Sequence, residues 1–265
     1  MTEDRNPRHN ATFLVYAETK VGKSSLGATC PGTKLVLDAE GSWNAFQGRK
    51  NPNNPEQPYR VVWWNPNEAP PKADGTWDIC VVDVLRWETV EQVINWILMT
   101  DHPFQSIVVD SVTQLQTRCK EAISGFQSEN QQYSDWGQLL NRMKEKIQRV
   151  KDLVKDVRNP LRVALFTSEG KLRAQDGKYV PNMEGALRDG IAYWMNTTAC
   201  LKVRQVPNAD GIIAADSPFV RSLLVKPNPS YITGSHFEDR FESNTVENPN
   251  ITQMMGQIFP GFVPE

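Results

Sequence analysis

The strongest constraint on the fold is a set of five short apolar runs, each rich in β-branched residues and bounded by polar or turn residues. Each run is nearly continuous in apolar residues, which is typical of strands buried on both faces of a parallel sheet. Apolar residues at helical spacing lie between some of the runs. Strands that alternate with helices predict an α/β fold with a mainly parallel central β-sheet flanked by helices. The five runs are TFLVYA (12–17), KLVLDAE (34–40), ICVVDV (79–84), SIVVDS (106–111) and LRVALFTSE (161–169).

The length of 265 residues fits one large domain with appendages. We expect a flexible N-terminus over residues 1–10, one α/β domain over 11–227, and an irregular tail over 228–265 that is rich in Asn and Pro. Six prolines fall within 49–78 and predict a long excursion from the domain. Within that excursion RVVWW (60–64) reads as a short strand.

The composition argues against several classes of protein. The net charge of −2 gives no global basic field, so contact with nucleic acid requires a local patch. Four scattered cysteines without CxxC spacing and an N-terminus without an apolar signal core lead us to expect a cytoplasmic protein with unpaired thiols. No apolar stretch approaches the length that spans a bilayer, and the three histidines are too far apart to suggest a zinc site.

Residues 17–24, AETKVGKS, follow the first apolar run directly. A phosphate-binding loop needs a strand, a tight turn of backbone N–H groups, a Lys for the phosphates, a Ser or Thr for Mg²⁺, and a helix that begins at the anion. Lys23 and Ser24 hold the chemical positions, and Gly22 permits close backbone approach. Ala17 stands where the usual pattern has Gly, which is tolerated if its φ is negative. The alternative is a surface turn with solvated lysines.

The candidate nucleotide-contacting residues of this segment are Ala17, Glu18, Thr19, Lys20, Val21, Gly22, Lys23, Ser24 and Ser25.

Acidic residues lie at or near the ends of three of the neighbouring runs. Mg²⁺ needs a carboxylate at the C-terminal end of a strand, and SIVVDS offers Asp110. Asp83 is a weaker candidate because its run continues into apolar residues. Asp38 and Glu40 follow the second run, at the sheet edge where open α/β sheets bind ligands. Glu40 could orient and activate an attacking water, or it could only cap a strand or pair with a lysine.

With these segments assembled, the chain resembles the RecA-like P-loop ATPase core, and more narrowly the short phage-encoded RecA-like ATPases associated with single-strand annealing and recombination. The resemblance covers residues 11–225. It depends on the order AETKVGKSS, LVLDAEG, SIVVDS, RVALFTSEGK and MEGALRDGIAYWMNTTACLKVR.

RecA proteins place a catalytic glutamate in an IDAE-type segment, and Glu40 matches it. In that family a polar residue that ends the next strand after the metal-binding strand senses the γ-phosphate and begins a mobile DNA-binding loop. Thr167, Ser168 and Glu169 lie at that position, although the usual Gln is absent. Lys20, which gives the loop the pattern xxKxGKS, is a further feature in which the chain resembles the phage group.

The resemblance implies ATP binding and hydrolysis with Mg²⁺ by homo-oligomers, with the nucleotide at a subunit interface that a basic residue of the neighbour completes. Lys202 and Arg204 are the candidates for that residue, and the alternative is a pair of solvated side chains on an edge strand. The resemblance also implies action on single-stranded DNA in the host cytoplasm, with an annealing protein or a single-strand binding protein as a partner.

A basic segment at 168–185 is the candidate DNA contact, because it offers charges for phosphates and one ring for base stacking. Its acidic residues cancel the net charge, and a solvated β-hairpin explains the segment equally well. The candidate DNA-binding residues are Lys171, Arg173, Lys178 and Tyr179.

Three functions fit these features. The first is an ATPase in which Lys23 and Mg²⁺ neutralise charge while Glu40 positions the water, coupled to single-stranded DNA. The second is a nucleotide or small-molecule kinase. Such kinases usually carry a lid with clustered arginines, and Arg173 and Arg188 are too few and too isolated to form one. The third is a nucleotide-binding assembly module without turnover, which has no need for both Asp110 and Glu40.

Overall fold

The computed structural model describes residues 9–125, 133–156, 158–207, 212–213 and 217–264. The predicted flexible N-terminus over 1–10 therefore lies almost wholly outside the described residues.

Within the described residues, the strands are β1 (Ala11–Ala17), β2 (Lys34–Asp38), β3 (Val61–Trp63), β4 (Ile79–Asp83), β5 (Ser106–Asp110), β6 (Val163–Leu172), β7 (Tyr179–Pro181), β8 (Thr197–Gln205), β9 (Phe219–Leu224), β10 (Gly234–Ser235) and β11 (Thr245–Glu247). The α-helices are α1 (Lys23–Gly27), α2 (Trp87–Met99), α3 (Val112–Ser124), α4 (Tyr133–Asp152), α5 (Leu187–Trp194) and α6 (Ile251–Ile258).

One sheet orders these strands as β11-β9-β8-β1-β6-β5-β2-β4-β3, with β7 paired to β6 and β10 paired to β8. The seven strands from β8 to β3 in this order run parallel to their neighbours. The remaining pairings, which involve β7, β9, β10 and β11, are antiparallel. The predicted α/β fold with a mainly parallel central sheet is therefore confirmed.

Two apolar layers cover the faces of the sheet. In β1, Leu14 packs with residues of α2, α3, α4 and α5, whereas Phe13 and Val15 pack with residues of α1 and α6. Successive side chains of a strand point to opposite faces, so a strand covered on both faces must be apolar throughout. This is why the five runs were readable from the sequence.

The proline-rich excursion over 49–78 returns to the sheet as the short edge strand β3. Arg60 and Asp78 form an ion pair of 2.8 Å that joins the two ends of its outer part. Trp64 is buried and contacts Trp96 edge to face, with ring centroids 5.1 Å apart. The tryptophan therefore covers the apolar layer beside α2.

The prediction of an irregular tail over 228–265 is wrong for the described residues, which contain β10, β11 and α6. Helix α6 begins after Asn250, whose side chain accepts a hydrogen bond from Gln253 N. Met254 and Met255 of this helix are buried in the same layer as α1. The Asn and Pro residues mark caps and turns between short elements, which a compositional reading mistook for irregularity.

All four cysteines are unpaired and buried. Among the described helices, none has both the length and the apolar character that crossing a bilayer requires.

Candidate functional site

Two residues of the loop that follows β1 have a left-handed backbone conformation. Gly22 has a φ of 113° and Lys20 has a φ of 64°. Among the described non-glycine residues, only Lys20 and Asn248 have a positive φ, so Ala17 accommodates its Cβ in the strand as expected. A left-handed residue with a side chain costs about 1–2 kcal/mol, and here that cost falls on Lys20, not on Ala17.

Lys23 is enclosed by this loop. Only 7% of the residue is exposed, and Nζ donates to the carbonyl oxygens of Ala17 at 3.4 Å and Glu18 at 3.0 Å. By contrast, Glu18, Thr19 and Lys20 are exposed. A surface turn with solvated lysines therefore does not describe Lys23. Its ammonium group lies where an anion held by the loop would compensate its charge.

Asp110 ends β5 and is completely buried. Its Oδ2 accepts hydrogen bonds from Ser24 Oγ at 2.7 Å and from Trp43 Nε1 at 2.8 Å. Its Oδ1 accepts one from Thr167 Oγ1. The hydroxyl of Ser24 and the carboxylate of Asp110 are hard oxygen ligands, so this donor set fits Mg²⁺. Asp83 is exposed at the end of β4, two strands from β5, and lies outside this group.

Asp38 and Glu40 have different tasks. Asp38 Oδ1 accepts from the backbone N–H groups of Glu40 at 3.0 Å and Gly41 at 2.8 Å, and its Oδ2 accepts from Trp43 N at 3.1 Å. Asp38 thereby fixes the turn after β2. Glu40 Oε1 accepts from Ser111 Oγ at 2.5 Å, and no lysine or arginine among the described residues forms an ion pair with Glu40.

The environment of Glu40 favours its neutral form. Partial burial raises the pKa of Glu40 above its usual value of 4.5, and the hydrogen bond from Ser111 opposes that rise. The nearby charges of Asp110 and Glu169 raise the pKa further, whereas Lys23 lowers it. Because much of the side chain remains exposed, water has access to the carboxylate. A carboxylate with these properties is suited to accept a proton from water.

The residues predicted to sense the γ-phosphate are engaged within the chain. Thr167 is fully buried and its hydroxyl bonds to Asp110, so it positions that carboxylate. Ser168 Oγ lies 3.0 Å from Thr113 Oγ1. Glu169 Oε2 accepts from Asn182 Nδ2 at 3.2 Å, and its charge acts on Glu40. In this geometry the hydroxyl of Thr167 therefore supports Asp110.

The basic candidates Lys202 and Arg204 lie on β8, which is an interior strand between β1 and β9 and not an edge strand. Lys202 Nζ lies 3.6 Å from the ring centroid of Tyr231. It lines a cavity of about 240 Å³ that also contacts Glu18 and Val21 of the loop. Arg204 is 3.4 Å from Glu247, and both side chains are exposed.

The candidate DNA-binding residues lie on the β6–β7 hairpin, and two of them have partners. Arg173 forms ion pairs with Asp176 at 2.6 Å and Asp189 at 3.3 Å. The ring of Tyr179 stacks on Tyr16 at 5.8 Å and also contacts a second tyrosine ring. A ring packed in this way does not project from the hairpin to meet a base.

Lys171 and Lys178 are both half-buried, and neither forms an ion pair within the described residues. They are the two candidates whose charges remain available.

Sequence reasoning did not identify three residues of this site. Trp43 follows the DAEGS segment, and Ser111 follows Asp110 directly, so proximity to the acidic motifs was a usable signal for both. Arg221, on β9, donates from Nε to Val21 O of the loop at 2.9 Å. No local signal marks Arg221, because its position depends on the pairing of β9 with β8.

A comparison with protein families identifies the family of this chain. A family model described as AAA domain matches residues 9–236. No curated protein matches the chain. Among solved structures, the chain is similar to a prototypical ATPase from the type III secretion system of pathogenic bacteria, with a TM-score of 0.44 and 12% sequence identity. That alignment covers 73% of this chain and 52% of the other, so it spans about half of the other protein's chain.

Proposed function

Since the chain belongs to the AAA domain family of P-loop ATPases, we propose that it is a Mg²⁺-dependent ATPase of RecA-like type that acts with single-stranded DNA in phage recombination or replication. The observation that carries the proposal is the convergence of four side chains from three separate segments. Ser24 and Asp110 are joined by a hydrogen bond of 2.7 Å, Lys23 directly precedes Ser24 as the first residue of α1, and Glu40 is bonded to the residue after Asp110.

Each of these residues has a task in hydrolysis. The backbone N–H groups of the loop receive the phosphates, and Lys23 exchanges the carbonyls of Ala17 and Glu18 for phosphate oxygens. Bound at Ser24 and Asp110, Mg²⁺ would neutralise charge on the phosphates. Glu40 accepts the proton of the attacking water, and the hydrogen bond from Ser111 holds its carboxylate in one orientation.

Support for a DNA partner comes from the β6–β7 hairpin. This hairpin continues the strand that carries Thr167, and it presents Lys171 and Lys178 without ion-pair partners among the described residues. Phosphates of a single strand could pair with these ammonium groups. The sequence resemblance to phage recombination ATPases favours the same partner, together with an annealing or single-strand binding protein.

Support for a homo-oligomer comes from the ends of β8 and β9. Val203 and Phe219, on the paired strands β8 and β9, expose apolar side chains there. Exposed apolar residues that lie close together mark interaction surfaces. A second copy of the chain at this surface would bring its nucleotide site close to Lys202 or Arg204.

The central test measures ATP hydrolysis by the native chain with and without single-stranded DNA, beside Glu40→Gln. We expect DNA to raise turnover, and Glu40→Gln to lose it by about a hundredfold or more while still binding ATP. Glu56→Gln is the matched control, because Glu56 is exposed within the excursion. Failure of the native chain to bind ATP would contradict the proposal as a whole. A rate of ATP hydrolysis that is the same with and without single-stranded DNA would contradict only the proposed action on DNA.

A second experiment tests the hairpin. Combined Lys171→Ala and Lys178→Ala should weaken the binding of a labelled oligonucleotide and make it less dependent on salt, since fewer phosphates are neutralised. Lys72→Ala, at an exposed position of the excursion, serves as the control. Equal binding by the double variant and the control would exclude the hairpin as the DNA contact.

A further inference from the structure

We propose that Arg221 is a phosphate-binding residue of the nucleotide site, contributed by the same chain, and that it contacts the phosphate next to the nucleoside. This inference rests on the proposed nucleotide binding and deepens it. Neither the family match nor the motif pattern assigns a role to Arg221.

Arg221 reaches across β8 to the phosphate loop. Its Nε donates to Val21 O at 2.9 Å. A Cβ on Gly22 would lie only 2.6 Å from the same Nε and 3.4 Å from Cζ, so the arginine passes directly over the glycine. Gly22 therefore meets two requirements at once, its φ of 113° and the close approach of Arg221.

The charge of this guanidinium has no carboxylate partner among the described residues. Arg204 on the adjacent strand pairs with Glu247, and Arg173 pairs with two aspartates, but no such contact involves Arg221. The side chain is exposed, and only Nε is engaged in a hydrogen bond within the described residues. Both terminal nitrogens can therefore bind two oxygens of one phosphate in the forked arrangement that guanidinium favours.

The position of the carboxylates indicates which phosphate this is. Asp110 and Glu40 lie on one side of the loop, at the ends of β5 and beyond β2. The terminal phosphate, which would lie beside the Mg²⁺ ligands Ser24 and Asp110 and beside the water at Glu40, is therefore on that side. The nucleoside end of the ligand must then leave the loop on the other side, toward β8 and β9, where Arg221 lies.

The test compares Arg221→Gln and Arg221→Lys in the full chain. Gln can still donate to Val21 O but has no charge, whereas Lys keeps the charge. Dissociation constants are measured for fluorescent ADP and for a non-hydrolysable ATP analogue. We expect Arg221→Gln to bind both about tenfold more weakly or worse, and Arg221→Lys, which keeps the charge but not the fork, to lie between Arg221→Gln and the native chain. Arg240→Gln is the control, since Arg240 is exposed and pairs only with its neighbour Asp239.

Three outcomes would overturn this assignment while the native chain still binds nucleotide. Unchanged affinity in Arg221→Gln would show that no phosphate meets Arg221. A loss confined to the ATP analogue would place the arginine at the terminal phosphate. Equal losses in the Gln and Lys variants, with a lower Tm in the absence of nucleotide, would show that Arg221 only supports the loop. If the native chain binds neither ligand, the proposed function fails and Arg221 fails with it.

Discussion

On the β5 and β2 side of the phosphate loop the ionisable groups are tied into the chain, whereas on the β8 and β9 side they lie on exposed strand ends. Asp110 is fully buried with three hydrogen-bond donors, and Asp38 is held by backbone N–H groups. Arg204 and Arg221 are exposed, and Arg221 has a single hydrogen bond.

The difference separates polar groups whose hydrogen bonds the chain itself satisfies from charged groups that it leaves exposed. Changes on the carboxylate side should affect folding and chemistry together, because buried polar groups lose partners that water cannot replace. Changes on the basic side should affect binding with little effect on stability, because exposed charges contribute little to folding.

The largest expected effect belongs to Lys23, which lies between the two sides. Lys23→Ala should weaken nucleotide binding by about a hundredfold or more, because charge-assisted hydrogen bonds to phosphate contribute about 1.5–3 kcal/mol each. Calorimetric titration with ADP measures the change, and Lys50→Ala at an exposed position is the control. Native affinity in Lys23→Ala would mean that the loop does not hold the phosphates.

On the carboxylate side, Thr167→Val keeps the shape of the side chain and removes the hydroxyl that donates to Asp110. We expect the free energy of unfolding to fall by about 1–3 kcal/mol, because a buried carboxylate loses a donor. Denaturant unfolding measures the loss. Thr117→Val, exposed on α3, should change stability by less than about 0.5 kcal/mol. If both variants behave alike, the buried network is not what stabilises this side.

Ser111→Ala tests the same side through pH. Glu40 acts as a base only when ionised, and its pKa is raised above 4.5, so turnover should fall as the pH drops through that raised value. Removing the Ser111 hydroxyl takes away a bond that lowers the pKa, so the acidic limb of kcat/KM should move to higher pH. Ser111 also caps α3, which adds a stability loss of about 1 kcal/mol. An unmoved limb, against Ser230→Ala as control, would exclude Glu40 as the base.

The smallest effect is expected on the basic side. Lys202→Met removes the ammonium group that lies over Tyr231, and the free energy of unfolding should fall by no more than about 0.5–1 kcal/mol. Lys202→Arg keeps a cation over the ring and should remain close to the native chain. A loss as large as that of Thr167→Val would erase the distinction between the two sides.

The parts of the molecule that were predictable from sequence are those in which neighbours along the chain decide the outcome. The parallel strands and the loop with Lys23 and Ser24 are of this kind, since burial on both faces and the turn leave local patterns. Asp110 and Glu40 were found because each lies at or just beyond the end of a strand.

Other features depend on residues that are distant in sequence. Arg221 reaches Val21 only because β9 pairs with β8, and α6 is stable because Thr29 accepts its first N–H group and α1 shares its apolar layer. Thr167 was predicted near the end of a strand, whereas it lies in the middle of β6, and its bond to Asp110 depends on β6 lying beside β5. A single sequence holds no local record of such pairings.

The ion pair between Arg60 and Asp78 has a practical consequence for protein engineering. It links the two ends of the outer part of the excursion, and the exposed residues 72–76 form a tip beyond it. A change in the length of this tip should therefore leave the sheet undisturbed. That tip leaves the edge strand β3, and four strands separate β3 from β1 and the phosphate loop. Insertions are best tolerated at exposed loop tips. A fluorescent label or affinity tag placed after Gly75 would therefore lie far from the phosphate loop along the sheet.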